Sequence, residues 1–186
     1  MKKDIAAAIV ALAIIGPACA DFSPYKYIQT YTMIEPAPSA DKSYDDGKIA
    51  IRFHIAEKRI FFHLTNKTQE PVALNWSEAA FVQLDGSRLP VAGTDAIFTH
   101  RRSKPVPTET APGKEETDFA APVKNVERLE DWSWYLTPLF NLTDEKAVEN
   151  RGKIFGLDMP IRVEGEWKVY QFRFKILNVV PTNQRV

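Results

Sequence analysis

The 186-residue sequence has little of several things on which common protein functions depend. Its single cysteine, Cys19, excludes an internal disulfide and a cysteine-rich zinc site. Lysine and arginine together number 24, as do aspartate and glutamate, so the chain lacks the net positive charge of a general nucleic-acid binder. It has no glycine-rich phosphate loop and no Gly-x-Ser-x-Gly motif, and no apolar run reaches the roughly 20 residues of a transmembrane helix.

The rest of the composition is typical of a globular protein. Hydrophobic residues make up 45% of the chain and charged residues 26%, which is ordinary for a chain that packs a core. At roughly 100–200 residues per domain, the length corresponds to one domain with short extensions. Composition alone therefore indicates a fold class rather than an activity.

The first 20 residues have the order of an export signal. Lys2 and Lys3 give a positive start, and residues 5–15 are an uninterrupted apolar run. Gly16-Pro17 then ends any helix, and residues 18–20 are small, as at a signal cleavage site. We therefore expect an exported protein of the periplasm or outer membrane.

Cys19 leaves two processing routes open. Cleavage after Ala20 would discard Cys19 and start the mature chain at Asp21, whereas lipidation would make Cys19 the first mature residue and the membrane anchor. The residues before Cys19 favour cleavage after Ala20. Gly16 and Pro17 stand where a lipoprotein signal has an aliphatic and a small residue.

The clearest local structure is a β-hairpin. Residues 49–56 and 60–65 both alternate in side-chain character, which is typical of half-buried strands. A turn through residues 56–59 opposes the apolar residues in pairs, namely Ile51 with Leu64, Phe53 with Phe62 and Ile55 with Ile60. Because the register and the apolar pattern agree, all six side chains are predicted to face one interior.

Further short strands follow between glycine and proline turns, whereas helix is scarce. The predicted strands are residues 25–34, 72–76, 80–84, 88–92, 97–100, 117–121 and 166–180. The first is predicted to be an edge strand, and the last is predicted to have a bulge where its apolar alternation slips between Val169 and Phe172. Thr143 is predicted to cap a short helix that ends at Gly152, and residues 126–131 are a second helical candidate. The pattern predicts an all-β, antiparallel sandwich with one or two short helices.

The predicted domain organisation has four parts. Residues 1–20 are the signal peptide, and residues 21–46, rich in Pro, Ala and Ser towards their end, are an N-terminal segment and linker. The β-sandwich spans residues 47–181. Residues 182–186 are a short tail.

Several of these residues stand in an order that resembles a known family. Residues 64–68 end a strand with an Asn-x-Thr triplet, residues 75–77 contain a tryptophan, and Phe81 precedes the Asp85-Gly86 turn. A Pro/Gly segment and a further strand follow at residues 107–122. Over roughly residues 48–140, this order resembles a family of uncharacterised bacterial exported proteins and lipoproteins. The resemblance implies an immunoglobulin-like β-sandwich in the cell envelope and no catalytic residue.

Residue types common in active sites are present without being grouped. His54 and His63 are predicted to share the outward face of the hairpin, but zinc requires three or four ligands and the spacing fixes no third. His100 lies elsewhere. The acidic pairs are neighbours in turns and loops, where carboxylates are usually solvated. We therefore expect a non-catalytic protein without a metal or cofactor.

Two segments are candidates for a ligand or partner surface. Arg101 and Arg102 lie in the one basic cluster, which either contacts an anionic partner or is a solvated loop. Trp132, Trp134 and Tyr135 lie in an aromatic segment that continues to Phe140.

The aromatic segment has two interpretations. Its rings either stack on sugars from an exposed position or fill one end of the core. The second is the more usual place for large aromatic residues, and Trp76 and Trp167 are predicted to be core residues as well.

The expected function is that of an exported envelope protein whose domain binds another envelope component or serves an assembly. The alternative is a carbohydrate-binding module that uses the aromatic segment. The expected partner is thus an envelope protein or a glycan and not nucleic acid, and a membrane is engaged only through a lipid on Cys19.

Processing at the N-terminus can be tested by intact-mass measurement of the chain recovered from its native host. We expect a mature chain that begins at Asp21 and carries no acyl group. A chain that begins at an acylated Cys19, or one that retains residues 1–20, would contradict this expectation.

Overall fold

The computed structural model describes residues 26–98, 107–128 and 133–182. Strands dominate these ranges, and helix is limited to α1 (Thr94–Phe98) and two 3₁₀ turns, Val123–Asn125 and Glu145–Asn150. The strands are β1 (Tyr27–Glu35), β2 (Ser43–Asp45), β3 (Ile49–Ile55), β4 (Ile60–Asn66), β5 (Val72–Leu74), β6 (Ala80–Val82), β7 (Arg88–Ala92), β8 (Thr108–Thr110), β9 (Glu115–Pro122), β10 (Val126–Arg128), β11 (Trp134–Leu136), β12 (Ile154–Val163) and β13 (Glu166–Pro181).

Eleven strands form one large antiparallel sheet that is nearly closed into a barrel. Its order is β1-β13-β12-β6-β7-β9-β4-β3-β2, with β5 beside β12 and β8 beside β5. Strands β10 and β11 form a separate hairpin. The predicted all-β, antiparallel class with few helices is confirmed.

Two halves of this sheet face each other across one apolar core. The link between them is β7, which pairs with β6 and also joins β9 through two residue pairs, Val91 with Pro122 and Ala92 with Ala121. Across the core, the ring of Phe53 on β3 lies 4.6 Å from that of Phe172 on β13, centroid to centroid. The curl of the sheet thus buries the inward faces of strands that are far apart in its order.

The β3–β4 hairpin has the predicted register. Ile51 pairs with Leu64, Phe53 with Phe62 and Ile55 with Ile60, and all six side chains are buried. The predicted turn is closed by a hydrogen bond from the Ala56 N–H to the Arg59 carbonyl. The alternating pattern predicted this hairpin because one face is dry and the other is wet.

Strand β12 has no counterpart among the predicted strands, although it lies near the middle of one half of the sheet. It is paired with β13 on one edge and with β5 and β6 on the other. Eight of its ten residues are buried. Its large apolar residues do alternate along the sequence, namely Phe155, Leu157, Met159, Ile161 and Val163. Gly156 and Pro160 lie between these residues, and because glycine and proline are uncommon inside strands, they conceal the alternation. Pro160 lies where the neighbouring strand changes from β6 to β5, an interruption of the ladder that tolerates a missing N–H.

Two strands come from residues 21–46, the range predicted to precede the domain. Strand β1 pairs with β13 along the sheet, and Met33 within it is fully buried. Strand β2 pairs with β3 at the opposite end of the order. Met33 and Ser39 exchange backbone hydrogen bonds, so the prolines at 36 and 38 belong to a connection inside the fold rather than to a linker.

The last strand has no bulge at the predicted place, between Val169 and Phe172, because it pairs with β12 in continuous register from Glu166 to Lys175. The register with β1 shifts at Leu177, where Thr30 pairs with Asn178 and Tyr31 with Ile176. Trp167 was expected in the core and is instead 49% exposed, because the inward positions of β13 begin at Tyr170 and continue at every second residue. Trp76, by contrast, is buried as predicted.

The structure corrects one predicted strand and two helical predictions. Residues 97 and 98 belong to α1 rather than to a strand, because the Asp118 carboxylate accepts from both the N–H and the hydroxyl of Thr94 and fixes the start of that turn. Residues 99 and 100 lie outside the described ranges. Residues 126–128 form β10 and not a second helix, and residues 129–131 of that prediction lie outside the described ranges. The turn at 145–150 is capped by the side chain of Asp144, not by Thr143.

A matched pair of truncations tests the assignment of inside and outside. Ile51 is buried and Ile154 is 44% exposed, yet both are strand isoleucines. We expect Ile51→Ala to lower the free energy of unfolding by about 2–5 kcal/mol and Ile154→Ala by about 1 kcal/mol or less, measured by urea denaturation. Equal losses would contradict the assignment.

Candidate functional site

The predicted aromatic segment does not form a single exposed row. On β11, Trp134 is half-buried and packs against a small second cluster on the outer side of the sheet, which contains Ala92, Ile97, Phe119 and Ala121. Tyr135 is 41% exposed, and its ring lies 4.5 Å from the Lys58 ammonium. Phe140 is buried in the main core. The segment is thus divided between two cores and the surface.

The remaining predicted site residues fall outside the described ranges. These are Cys19, Arg101, Arg102 and Trp132. The structure therefore describes Trp134 and Tyr135 but not the basic cluster or the proposed lipidation site.

The histidines lie on the outward face, as the hairpin register predicts. His54 is exposed, and its ring contacts that of Phe61. The Nδ1 atom of His63 lies 2.9 Å from the Thr117 hydroxyl and 3.2 Å from a Glu115 carboxylate oxygen. Within the described part of the chain, no three His, Cys, Asp or Glu side chains are grouped as metal ligands. His100 is not among the described residues.

The Asn-x-Thr triplet at the end of β4 is a structural element. Asn66 is fully buried, and its amide nitrogen donates to the carbonyls of Glu70 and Thr110. Its side-chain oxygen accepts from both the N–H and the hydroxyl of Thr68. One side chain therefore joins the end of β4, the following turn and β8.

Trp76 holds a second junction. Its indole N–H donates to the Thr108 hydroxyl at 2.9 Å, and its ring lies directly against Gly93. A Cβ at position 93 would come within 2.7 Å of the Trp76 ring. These contacts explain why a tryptophan and a glycine stand here, and neither needs a ligand.

A buried carboxylate lies on the outer side of β12. Asp158 is inaccessible to solvent, and its two oxygens accept from Arg88 and Arg173, the latter at 2.6 Å. Arg173 also donates to the Phe172 carbonyl. Because both carboxylate oxygens are paired with guanidinium groups, this cluster ties β7, β12 and β13 together and leaves no free acid for catalysis.

A pocket of about 420 Å³ lies beside the 3₁₀ turn at 145–150. Its floor includes Phe81 and Phe140, both of which are largely buried. Its rim is polar and is formed by Gln83, Asp85, Asn141, Lys146 and Glu149. The pocket offers hydrogen-bonding groups but no exposed ring on which a sugar could stack.

A smaller cleft lies between β1 and β3, where the strands of the described residues leave the sheet open, and we name it the seam. Its volume is about 310 Å³ and its lining includes Ile28, Gln29, Tyr31, Ile55, Glu57 and Leu142. One wall is the outer edge of β1 and the other is the end of β3 with its turn.

The first wall of the seam is an unpaired strand edge. The N–H of Tyr27 donates to the Leu142 carbonyl and that of Met33 to the Ser39 carbonyl, so odd-numbered residues of β1 point their backbone groups away from β13. Gln29 and Tyr31 lie between these two contacts. Within ranges 26–98, 107–128 and 133–182, their outward N–H groups have no hydrogen-bond partner.

The second wall has the same character. The N–H of Phe53 donates to the Lys42 carbonyl, which shows that odd-numbered residues of β3 point away from β4. Strand β2 pairs only with residues 50–52. The N–H of Ile55 therefore points towards the seam, and no described residue accepts its hydrogen bond.

Polar side chains complete the seam. The Tyr31 hydroxyl donates to the side-chain oxygen of Gln29, whose buried Nε2 has no partner among the described residues. Burial raises the pKa of the Glu57 carboxyl above its usual range, against a small opposing effect of Lys58. Burial and the nearby Glu57 charge raise the pKa of Tyr31 as well. The partly desolvated seam thus contains a hydrogen-bond donor without a partner, the Gln29 Nε2, and an acceptor, the Glu57 carboxyl.

Sequence reasoning did not find the seam. Its residues are distant along the chain, and the property they share is unpaired backbone, which has no signature in side-chain types. The only available signal was the prediction of residues 25–34 as an edge strand, which indicates one of the two walls.

Comparisons with known proteins add no relative. The chain matches no protein-family model, no curated protein and no solved structure. Among the described residues, no helix is both long and apolar enough to cross a membrane.

The structural role of Asn66 can be tested against a matched asparagine. Asn66→Asp replaces a donating amide with a carboxylate that faces two carbonyl oxygens, whereas Asn75 is half-buried and its amide nitrogen makes no such bonds. We expect Asn66→Asp to cost about 3 kcal/mol or more of unfolding free energy at pH 7, and Asn75→Asp about 0.5 kcal/mol. Similar losses for both variants, measured by urea denaturation, would refute the role.

Proposed function

We propose that this chain is a non-catalytic, exported protein of the bacterial cell envelope whose β domain binds another envelope component. The observation that carries the proposal is the seam, where two strand edges and the buried Nε2 of Gln29 lack partners among the described residues. Native proteins usually cover or blunt such edges, so an open one marks a contact surface.

Other exposed apolar residues favour a binding role. Trp167 and Val169 stand two residues apart on the outer face of β13 and are 49% and 47% exposed. A tryptophan at a half-exposed position is typical of protein interfaces, where aromatic residues are enriched. These residues provide a second surface, separate from the seam.

The immunoglobulin-like arrangement is part of the same proposal. It is supported by the way the two halves of the sheet face each other, joined by only two residue pairs between β7 and β9. The resemblance over residues 48–140 points the same way, since Asn66 and Trp76 both hold junctions between strands. Export rests on the signal-like order of residues 1–20.

Carbohydrate binding is the alternative. It is supported by the 420 Å³ pocket, whose amide and charged rim can donate to and accept from hydroxyl groups. Tyr135 is the exposed ring of the described aromatic segment, but Lys58 already lies over it. The rings of Trp134 and Phe140 are not free for stacking, which weighs against the stacking form of this alternative.

Site-specific photo-cross-linking in the native host tests the proposal. A benzophenone amino acid replaces one exposed residue at a time: Ile28 beside the seam, Trp167 on β13 and Tyr135 on β11. We expect the chain in the envelope fraction, with an adduct to an envelope protein from at least one position. A chain confined to the cytoplasmic fraction, or one that gives no protein adduct from any position, would refute the proposal. An adduct to a glycan from Tyr135 would favour the alternative.

A further inference from the structure

We propose that the seam accepts one extended segment of a partner protein, which pairs as an additional β-strand between β1 and β3. This inference rests on the proposed function and names the site and the kind of partner. It commits to strand addition, in which backbone hydrogen bonds supply affinity and alternate side chains supply specificity.

Backbone groups on both walls provide the pairing. Gln29 and Tyr31 present N–H and C=O groups from β1, and Ile55 presents the same groups from β3. The uncovered part of β1 is short, because Leu142 covers one end and Ser39 the other. The occupant is therefore a short strand of a few residues.

The two walls also exclude larger occupants. A second copy of this chain would have to bring its own β1 edge to this one, but the edge looks into a cleft that the β3–β4 turn closes on the far side. A volume of about 310 Å³ lies at the lower end of the range of small-molecule pockets, roughly 300–1,000 Å³. A single strand with one inward side chain fits both restrictions.

The lining indicates the chemistry of the segment. Ile55 and Leu142 offer an apolar surface to the residue that points inward. The Glu57 carboxyl lines the seam in a partly buried position, and the buried Gln29 Nε2 has no acceptor among the described residues. The expected segment thus carries an aliphatic residue next to a lysine or arginine, and its backbone carbonyl faces Gln29.

Position 29 allows the backbone contact to be removed selectively. Its N–H points into the seam and takes no part in pairing with β13, so proline there removes a docking hydrogen bond and leaves the β1–β13 ladder intact. Gln29→Ala is the matched control, because it removes the same side chain and keeps the N–H.

The experiment uses three proteins expressed in the native host: the otherwise unchanged chain, the Gln29→Pro variant and the Gln29→Ala variant. Each carries the benzophenone amino acid in place of Ile28. We expect the linked residue, mapped by mass spectrometry, to lie in an extended partner segment with a basic residue. The yield of the cross-linked adduct should fall about tenfold in the Gln29→Pro variant and about twofold in the Gln29→Ala variant. Thermal melting of the purified variants checks that each one folds.

Hydrogen exchange gives a second readout that does not depend on the proline variant. In the purified complex of the unchanged chain, the amides of Gln29, Tyr31 and Ile55 should exchange more slowly than in the free chain. Unchanged exchange at these amides overturns the proposal. So does an equal yield from both variants when both fold, or an Ile28 adduct to a lipid, a glycan or a second copy of this chain.

The controls separate this inference from the proposed function. If Ile28 gives no adduct while Trp167 or Tyr135 does, strand addition at the seam is refuted and an envelope-binding role stands. If no position gives a protein adduct, both are refuted.

Discussion

Two-sided pairing of β13 is the constraint on which the rest of the structure depends. Strand β13 is held by β12 on one edge and by β1 on the other, and its inward residues supply the aromatic floor of the core. Backbone groups in a dry interior must be hydrogen-bonded. Because β13 is long, β1 and β12 must also be long and must pair with it in a fixed register. Phe172 then meets Phe53 from the facing half, and the sheet has to curl to make that contact.

The strands differ in how well their sequence patterns predict them. The β3–β4 hairpin was predictable because its partner strand is adjacent in sequence and one face is wet, so pattern and register are both local. Strand β12 was missed although its apolar residues alternate along the sequence and a two-residue turn, Glu164-Gly165, joins it to β13. Gly156 and Pro160 fall within this alternation, and both residue types are uncommon inside strands. Trp167 shows the limit of pattern reasoning: hydrophobicity suggested burial, but parity along β13 places it outside.

The candidate site follows the same division. The Asn-x-Thr triplet at residues 66–68 was visible in the sequence, yet its role became clear only when Thr110 of β8 was found to accept its amide. Buried polar groups of this kind are satisfied by tertiary neighbours, which spacing does not reveal. The seam is harder still to predict from the sequence, because it is defined by backbone N–H groups that have no hydrogen-bond partner among the described residues. The sequence did supply the edge position of residues 25–34.

The first and last strands of the described chain, β1 and β13, are neighbours in the sheet, and this has a consequence for engineering. Tyr27 pairs with Pro181, and the Thr182 N–H donates to the Lys26 carbonyl at 2.7 Å, so the described chain begins and ends at one place. A short linker can therefore join these ends without crossing the molecule. New termini can then be opened at the exposed Asp85-Gly86 turn between β6 and β7, giving a circular permutant in which every strand keeps its neighbours.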